Sequence, residues 1–554
     1  MKSPLTPSPF SALPALLGWG LLLNLLLLAP LWLRFGFEGG VRLIAWEAWL
    51  LVMLFALLPD RLFNRLLRWI SVGVLMTALV LGIGDGATHQ VLSRSLNVYF
   101  DINLVSASFH LLDGNLGRIV AIGAIVAVLA LLGFLVIVLG RALRPGRARD
   151  RGSLAMAATL GLAALIFSAL EIQNQRPVPV ARTPAWDTLS FQLDQLRTTH
   201  RARLDFVAAA PAVPWPARAL PGLADTDVLL VFIESYGATV LELERYRDIV
   251  IPSLERKEQR LREAGLYMAS GLLEAPIRGG QSWLAHATLL SGRWIDNQLW
   301  YRLLLESYQN TLIDDFRATG HETMAVMPAI IMPWPEGRQH GFSRIYAARD
   351  LGYAGPPLNW VTMPDQFTLD RFQRALRPNA PRPLFAQIAL ISSHAPWTPI
   401  LEVEADWDAI GDGSIFERWR EYGDPPPVLW QDMERVRDHF VMSVEYSVQV
   451  SLDWAARFLD DDTLLILLGD HQPAAVITGQ DASGAVPVHI ISRNAELVEP
   501  FRQRGFIDGL IPDYPAPAPR MSELRDWLNE DFGGGGWRRA APAAGEPSSS
   551  TTPR

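Results

Sequence analysis

Five apolar stretches fill the first third of this 554-residue chain and constrain everything that follows. They cover roughly residues 12–33, 41–58, 66–83, 119–139 and 154–172. Each approaches the ~20 residues that a helix needs to cross the hydrocarbon core of a bilayer. The first is too long for a secretory signal and four more follow, which predicts a multi-pass membrane protein. Arginines then set the orientation. Arg61, Arg65 and Arg68 lie between the second and third stretches, and Arg141, Arg144, Arg147, Arg149 and Arg151 between the fourth and fifth. With Lys2, these loops are expected in the cytoplasm, and everything after the fifth stretch outside it. The loop over residues 85–118 holds Tyr99, Phe100, Phe109 and Asp113. It reads as an external segment that either touches lipid headgroups or packs beneath the outer region.

Residues 173–226 read as a connector, with a helical piece over 186–206 lying along the membrane and an Ala- and Pro-rich spacer over 208–222. From Asp227 to about residue 532, apolar runs alternate with helical patterns, as βαβ units do. Residues 533–554 are rich in Gly, Ala, Pro and Ser and are expected to be disordered. No cysteine is present, which excludes disulfides, thiolate metal sites and cysteine nucleophiles. A formal charge of −8 gives no reason to expect nucleic acid as a partner.

Three short apolar runs in the outer region end in polar residues suited to metal or acid–base work. Residues 464–468 run into Gly469-Asp470-His471, residues 228–233 into Glu234-Ser235, and residues 384–391 into Ser392-Ser393-His394. Unbroken apolar runs of this length are the pattern of strands buried on both faces of a parallel sheet. Ligand sites in open α/β sheets lie beyond the carboxyl ends of the strands. Glu234, His394, Asp470 and His471 are therefore expected along one edge.

A fourth segment, residues 278–293, reads Arg-Gly-Gly-Gln-Ser-Trp-Leu-Ala-His and ends Ser-Gly-Arg. Gly279 and Gly280 allow a tight approach, and Ser282 opens a helix. Two readings stand there. A serine at a helix start is an N-cap. The same helix end attracts a phosphate or sulfate, and a metal beside the hydroxyl would make it a nucleophile.

Taken together, these residues resemble the alkaline-phosphatase/sulfatase superfamily, in the branch of membrane-anchored lipoteichoic-acid synthases and phosphoethanolamine transferases. The resemblance extends over nearly the whole chain and implies a five-helix transmembrane region followed by an α/β sulfatase-like domain. In that branch a Glu after the first strand, a Ser or Thr nucleophile and an Asp-His pair hold one divalent metal. The matching positions here are Glu234, Ser282, Asp470 and His471, and a further His that contacts the transferred group matches His394. Such oxygen ligands with one imidazole suit Mn or Zn alike. Members of the branch commonly use Thr where this chain has Ser282. Sulfatases make formylglycine within Cys/Ser-x-Pro/Ala-x-Arg, and Leu284 and His286 break that pattern here.

Other polar residues carry two readings each. His286, four residues after Ser282, either contacts substrate or is structural. Trp334, Arg338 and His340 either line a headgroup pocket or pack an irregular loop. Asp365 reads as a helix N-cap rather than a carboxylate supporting the site, and His489 as a core histidine.

The resemblance implies an enzyme of the bacterial inner (plasma) membrane with its catalytic domain in the periplasm or outside the cell. It would move a phosphoglycerol or phosphoethanolamine headgroup from a phospholipid donor to an envelope glycan or lipid through a covalent Ser282 intermediate. One rival is a sulfatase or phosphodiesterase with water as acceptor. The other is a non-catalytic envelope scaffold, against which all four candidate ligand positions carry competent side chains.

Overall fold

The computed structural model describes residues 11–36, 42–92, 94–101, 112–113, 117–173, 175, 177–209, 216–307, 309–332 and 334–534. Lys2, Phe109 and all but the first two residues of the segment read as a disordered tail lie outside these. The chain divides into two compact units, Met1–Leu204 and Asp205–Arg554.

The first unit is helical. Helices α1 (Leu13–Phe35), α3 (Leu62–Leu92), α4 (Arg118–Ala142) and α5 (Arg151–Ile172) are each long and apolar enough to cross a membrane. The second predicted stretch differs. Only its later part, α2 (Trp46–Leu57), is helical, and its 12 residues rise about 18 Å against a hydrocarbon core of about 30 Å. Its earlier residues are extended instead, because strand β1 (Ile44–Ala45) pairs in parallel with β2 (Ala181–Arg182). Ala48, Val52, Met53, Phe55 and Ala56 of α2 are buried among the longer helices. Helix α3 runs past the predicted end of its span, so the following loop is shorter than expected. Helix α6 (Pro184–Ala209) takes up the predicted helical piece and starts further upstream. Its first amides, on Ala185 and Trp186, donate to the Glu47 carboxylate, which satisfies donors that a helix start leaves free.

The second unit is built on an eight-stranded mixed sheet. Its strands are β3 (Asp227–Ile233), β4 (Tyr267–Glu274), β5 (Glu322–Met327), β6 (Arg344–Ala347), β7 (Leu384–Leu390), β8 (Thr463–Gly469), β9 (Ala485–Ser492) and β10 (Ile507–Asp508). They lie in the order β10-β4-β9-β8-β3-β7-β5-β6. The run β8-β3-β7-β5-β6 is parallel, whereas β9 is antiparallel to β8 and β4. Every residue of β3 and β8 is buried, as expected of central strands covered on both faces. Helices α7 (Glu244–Glu263) and α10 (Met433–Phe458), with α9 (Asp365–Arg371), share one core cluster. Helices α8 (Ser282–Ser291) and α11 (Glu523–Phe532) share the other.

Candidate metal and nucleophile site

Strand β3 lies between β7 and β8, with Ile233 opposite both Leu390 and Gly469. Glu234, Ile391 and Asp470 therefore leave the sheet at one level. Two glycines let the loops beyond them close on each other. A Cβ on Gly469 would lie 1.9 Å from the Tyr236 carbonyl oxygen, and one on Gly237 would lie 1.8 Å from Gln472 Oε1. Ser235 takes a left-handed conformation, φ 57°. Its amide donates to Asp470 Oδ1 at 2.8 Å and its hydroxyl to Glu234 Oε1 at 2.8 Å. The His471 amide also donates to Asp470 Oδ1, at 2.7 Å.

Ser282 arrives from the other side. Gly279, Gly280 and Gln281 all have positive φ, and the Gly279 amide donates to the Gln472 carbonyl at 2.9 Å. This turn pins the start of α8 to the loop after β8. The N-cap reading of Ser282 is corrected here. The capping position belongs to the left-handed Gln281, one residue earlier. The Ser282 hydroxyl instead donates to Glu234 Oε2 at 3.1 Å and lies 3.2 Å from His471 Nε2.

The imidazole of His471 is oriented by its own loop. Nδ1–H donates to the Gln472 carbonyl at 2.8 Å, leaving the Nε2 lone pair toward the carboxylates. Nε2 is 3.4 Å from Glu234 Oε1 and 3.8 Å from Asp470 Oδ2. One ligand atom from each of Glu234, Asp470 and His471 lies within 4.8 Å of the others. The Asp470 and His471 side chains are 2% and 1% exposed and that of Glu234 is 11% exposed, so water does little to screen them.

Burial, and then the Glu234 charge beside it, pushes the Asp470 carboxyl up. Burial would also raise Glu234, but His471, His394 and the hydroxyls of Ser235 and Ser282 outweigh it and hold Glu234 down. His471 is raised, because the two carboxylates outweigh the cost of burying its charge. Two carboxylates this close cannot both ionise cheaply on their own. A divalent cation removes that conflict, and two carboxylates, an imidazole nitrogen and a hydroxyl are a donor set that accepts one.

The loop after β7 completes the edge. Ser393 Oγ donates to the Glu234 carbonyl at 2.6 Å. His394 Nδ1 bonds the Ala395 carbonyl at 2.5 Å, and its ring lies 5.8 Å from that of Trp360 at 30°. Asp365 does not act as the predicted N-cap. It is fully buried one residue inside α9, and Oδ1 accepts the amides of Ile391 and Ser392 at 2.7 and 2.9 Å while Oδ2 accepts Ser447 Oγ at 2.7 Å. These bonds tie α9 and α10 to the backbone that leads into His394. Sequence reading missed Ser235 and Ser393 as supports of Glu234. Their only signal was position, one residue after the glutamate and one before the histidine.

Among the described residues, the remaining candidates share no hydrogen bond, ion pair or ring contact with Glu234, Ser282, Asp470 or His471. His286 packs on Phe232, with ring centroids 4.1 Å apart, and its Nδ1 lies 3.3 Å from Gln387 Nε2. Burial pushes it down to about 3. The structure thus places His286 against the sheet. His340 is buried against Tyr301, whose hydroxyl lies 3.3 Å from its Nε2, and Trp334 lies 6.3 Å away ring to ring. Arg338 is exposed. His489 is wholly buried between Tyr236 and Ser270, at 3.0 and 2.8 Å.

A family model described as Sulfatase matches residues 226–484. No curated protein matches the chain. Among solved structures, the lipoteichoic acid synthase LtaP from Listeria monocytogenes aligns at 11% identity over 57% of this chain and 73% of its own, with a TM-score of 0.35. The periplasmic domain of EptC from Escherichia coli aligns at 15% over 58% and 86%, TM-score 0.37. The phosphoglycerol transferase GacH from Streptococcus pyogenes, in complex with sn-glycerol-1-phosphate, aligns at 13% over 60% and 80%, TM-score 0.35. The Sulfatase match over residues 226–484 spans all four converging side chains, and this stretch is similar to that family.

Proposed function

We propose that this protein transfers a phosphorylated alcohol headgroup, phosphoglycerol or phosphoethanolamine, from a phospholipid to an envelope glycan or lipid. The observation that carries the reading is the Ser282 hydroxyl, held at a helix start against Glu234 and His471 in a chain that also bears membrane-length helices. Glu234, Asp470, His471 and Ser282 would hold one Mn or Zn ion. Such an ion lowers the pKa of a neighbouring hydroxyl and offsets charge on phosphoryl oxygens.

Ser282 gives up its hydroxyl proton to water as Oγ bonds the lipid phosphorus and the bond from phosphorus to the diacylglycerol oxygen breaks, and it takes a proton back from water when it is released. We assign His394 the proton that the leaving oxygen takes up, and its return from the acceptor hydroxyl in the second step. There the acceptor oxygen bonds phosphorus and Ser282 is released. Positive amides and the dipole at the start of α8 favour the phosphate throughout. This reading puts residues 1–172 in the membrane, 173–226 in a connector and 227–532 in an extracytoplasmic catalytic domain. Opposite faces for the Arg141–Arg151 loop and residue 227 require α5 to cross. A cytoplasmic N-terminus then requires the short α2 to cross as well.

The Sulfatase match favours a second reading, hydrolysis with water as final acceptor. Incubation of the membrane-embedded chain with headgroup-labelled phospholipid separates the two. Transfer predicts diacylglycerol release with label on a glycan or lipid acceptor. Label appearing only as free phosphorylated alcohol supports hydrolysis, and no diacylglycerol release contradicts the proposal.

A further inference from the structure

Among the described residues of 216–534, ten large apolar side chains remain exposed, and seven of them belong to segments at one edge of the sheet. That edge is where β3, β7 and β8 end. Trp283 follows Ser282 on α8, and Ile331 and Met332, 69% and 57% exposed, occupy the turn after β5. Tyr422, Val428 and Trp430 lie in the stretch that leads into α10, and Val476 follows Asp470-His471 after β8. The 422–430 stretch is fastened to the His394 loop. Trp430 stacks on Trp397 at 5.7 Å and its indole N–H donates to the Pro396 carbonyl, while Thr398 Oγ1 donates to the Asp424 carbonyl at 2.8 Å.

Exposed apolar side chains concentrated at one edge mark a binding surface. Tryptophan and tyrosine alongside branched aliphatics and methionine match the depth profile of a lipid interface. Charges in the same segments carry both signs. Arg420 pairs with Glu417 and Arg435 with Asp424. Apolar partition, rather than attraction to anionic lipid, would therefore drive contact. The same chain carries four membrane-length helices, which keeps a bilayer within reach.

We propose that this rim docks on the phospholipid bilayer, with Ile331, Met332 and Val428 in the apolar layer and Trp283, Tyr422 and Trp430 at headgroup level. The inference needs only the rim and the helices, and it does not rest on the headgroup-transfer reading. If both hold, Ser282 sits beside the layer of lipid phosphates.

The cysteine-free chain allows a direct test. The full chain, carrying Ile331→Cys, Val428→Cys or, as a control on the opposite edge, Tyr267→Cys, is labelled with a polarity-sensitive fluorophore. It is then reconstituted in phosphatidylcholine–phosphatidylglycerol nanodiscs. Labels at 331 and 428 should shift to the blue and be quenched by spin-labelled lipid, unchanged between 50 and 500 mM salt, while the label at 267 is quenched only by aqueous iodide. Iodide quenching at 331 and 428 equal to that at 267 would overturn the proposal. So would shielding from both quenchers, which would assign the rim to a protein partner or a second copy. Because the readout needs no turnover, an inactive enzyme that still shows lipid quenching would contradict the transferase reading and leave the rim proposal standing.

Discussion

Strand β3 has a buried carboxylate at each end, and the two are treated in opposite ways. At its start, Asp227 accepts Arg377 Nε and Nη2 at 3.0 and 2.9 Å, Arg382 Nε at 3.0 Å and the Leu384 amide at 3.0 Å. Its charge is matched by the protein's own guanidinium groups. Beyond its end, Glu234 and the neighbouring Asp470 have hydroxyls, amides and one imidazole around them, but no arginine or lysine in contact among the described residues. Where a carboxylate only has to hold strands together, the chain supplies the cation. Where Ser282 converges, no such cation is supplied among the described residues, and the proposed metal would bring the positive charge.

The largest expected effect breaks this contrast from both sides. Asp470→Asn removes a carboxylate that lacks a cation, so it should empty the metal site and cut turnover by at least roughly 10³-fold. The metal-free protein should stay folded and become no less stable. Asp227→Asn should do the reverse. It takes one of two carboxylates from the buried Arg377, leaving Asp460 at 3.1 Å, and should cost about 1.5–3 kcal/mol of stability, while the folded fraction still binds metal. Metal analysis and denaturant melts of the two variants check both signs, and equal destabilisation by the two would remove the distinction.

A second expectation sharpens the boundary of the site. His394→Ala should lower turnover by roughly 10²–10⁴-fold if the imidazole moves a proton, with metal content unchanged. Loss of metal in this variant would make His394 a ligand instead.

Between pH 7 and 5 the smallest effect concerns buried histidines away from the carboxylates. Burial holds His489 down at about 3 and His340 at about 4, against an ordinary 6.5. The unfolded chain therefore binds protons that the folded one refuses, and stability falls as the pH drops. The contribution is complete above pH 6.5 and is lost on the way down through about 4 and 3. Each histidine should cost about 1.4 kcal/mol per pH unit in that window. His489→Gln should flatten the slope of denaturation midpoints between pH 7 and 5, whereas an unchanged slope would refute the assignment.

Much of this corner is legible in the chain, because a fully buried strand announces itself as an unbroken apolar run. The residue that follows such a run must then leave the sheet at its edge. That locates Glu234, His394, Asp470 and His471, and the paired glycines before Gln281 locate Ser282. What stayed hidden depends on tertiary partners. Asp365 looks like a cap because its real partners, the amides of Ile391 and Ser392, are remote in sequence and carry no side-chain signal. The antiparallel insertion of β9 beside β8 does not follow from a βαβ pattern. The second apolar stretch reads as a full span because hydropathy is blind to the pairing of β1 with β2.

Mass spectrometry of the peptide containing Ser282 tests the central claim most directly. Metal-loaded protein incubated with phospholipid and no acceptor should carry one phosphoglycerol or phosphoethanolamine adduct on Ser282. The adduct should be absent from Ser282→Ala, and that variant should lose at least roughly 10⁴-fold in turnover. An unmodified Ser282 in a protein that releases diacylglycerol, or a Ser282→Ala protein that turns over lipid near the wild-type rate, would contradict the account.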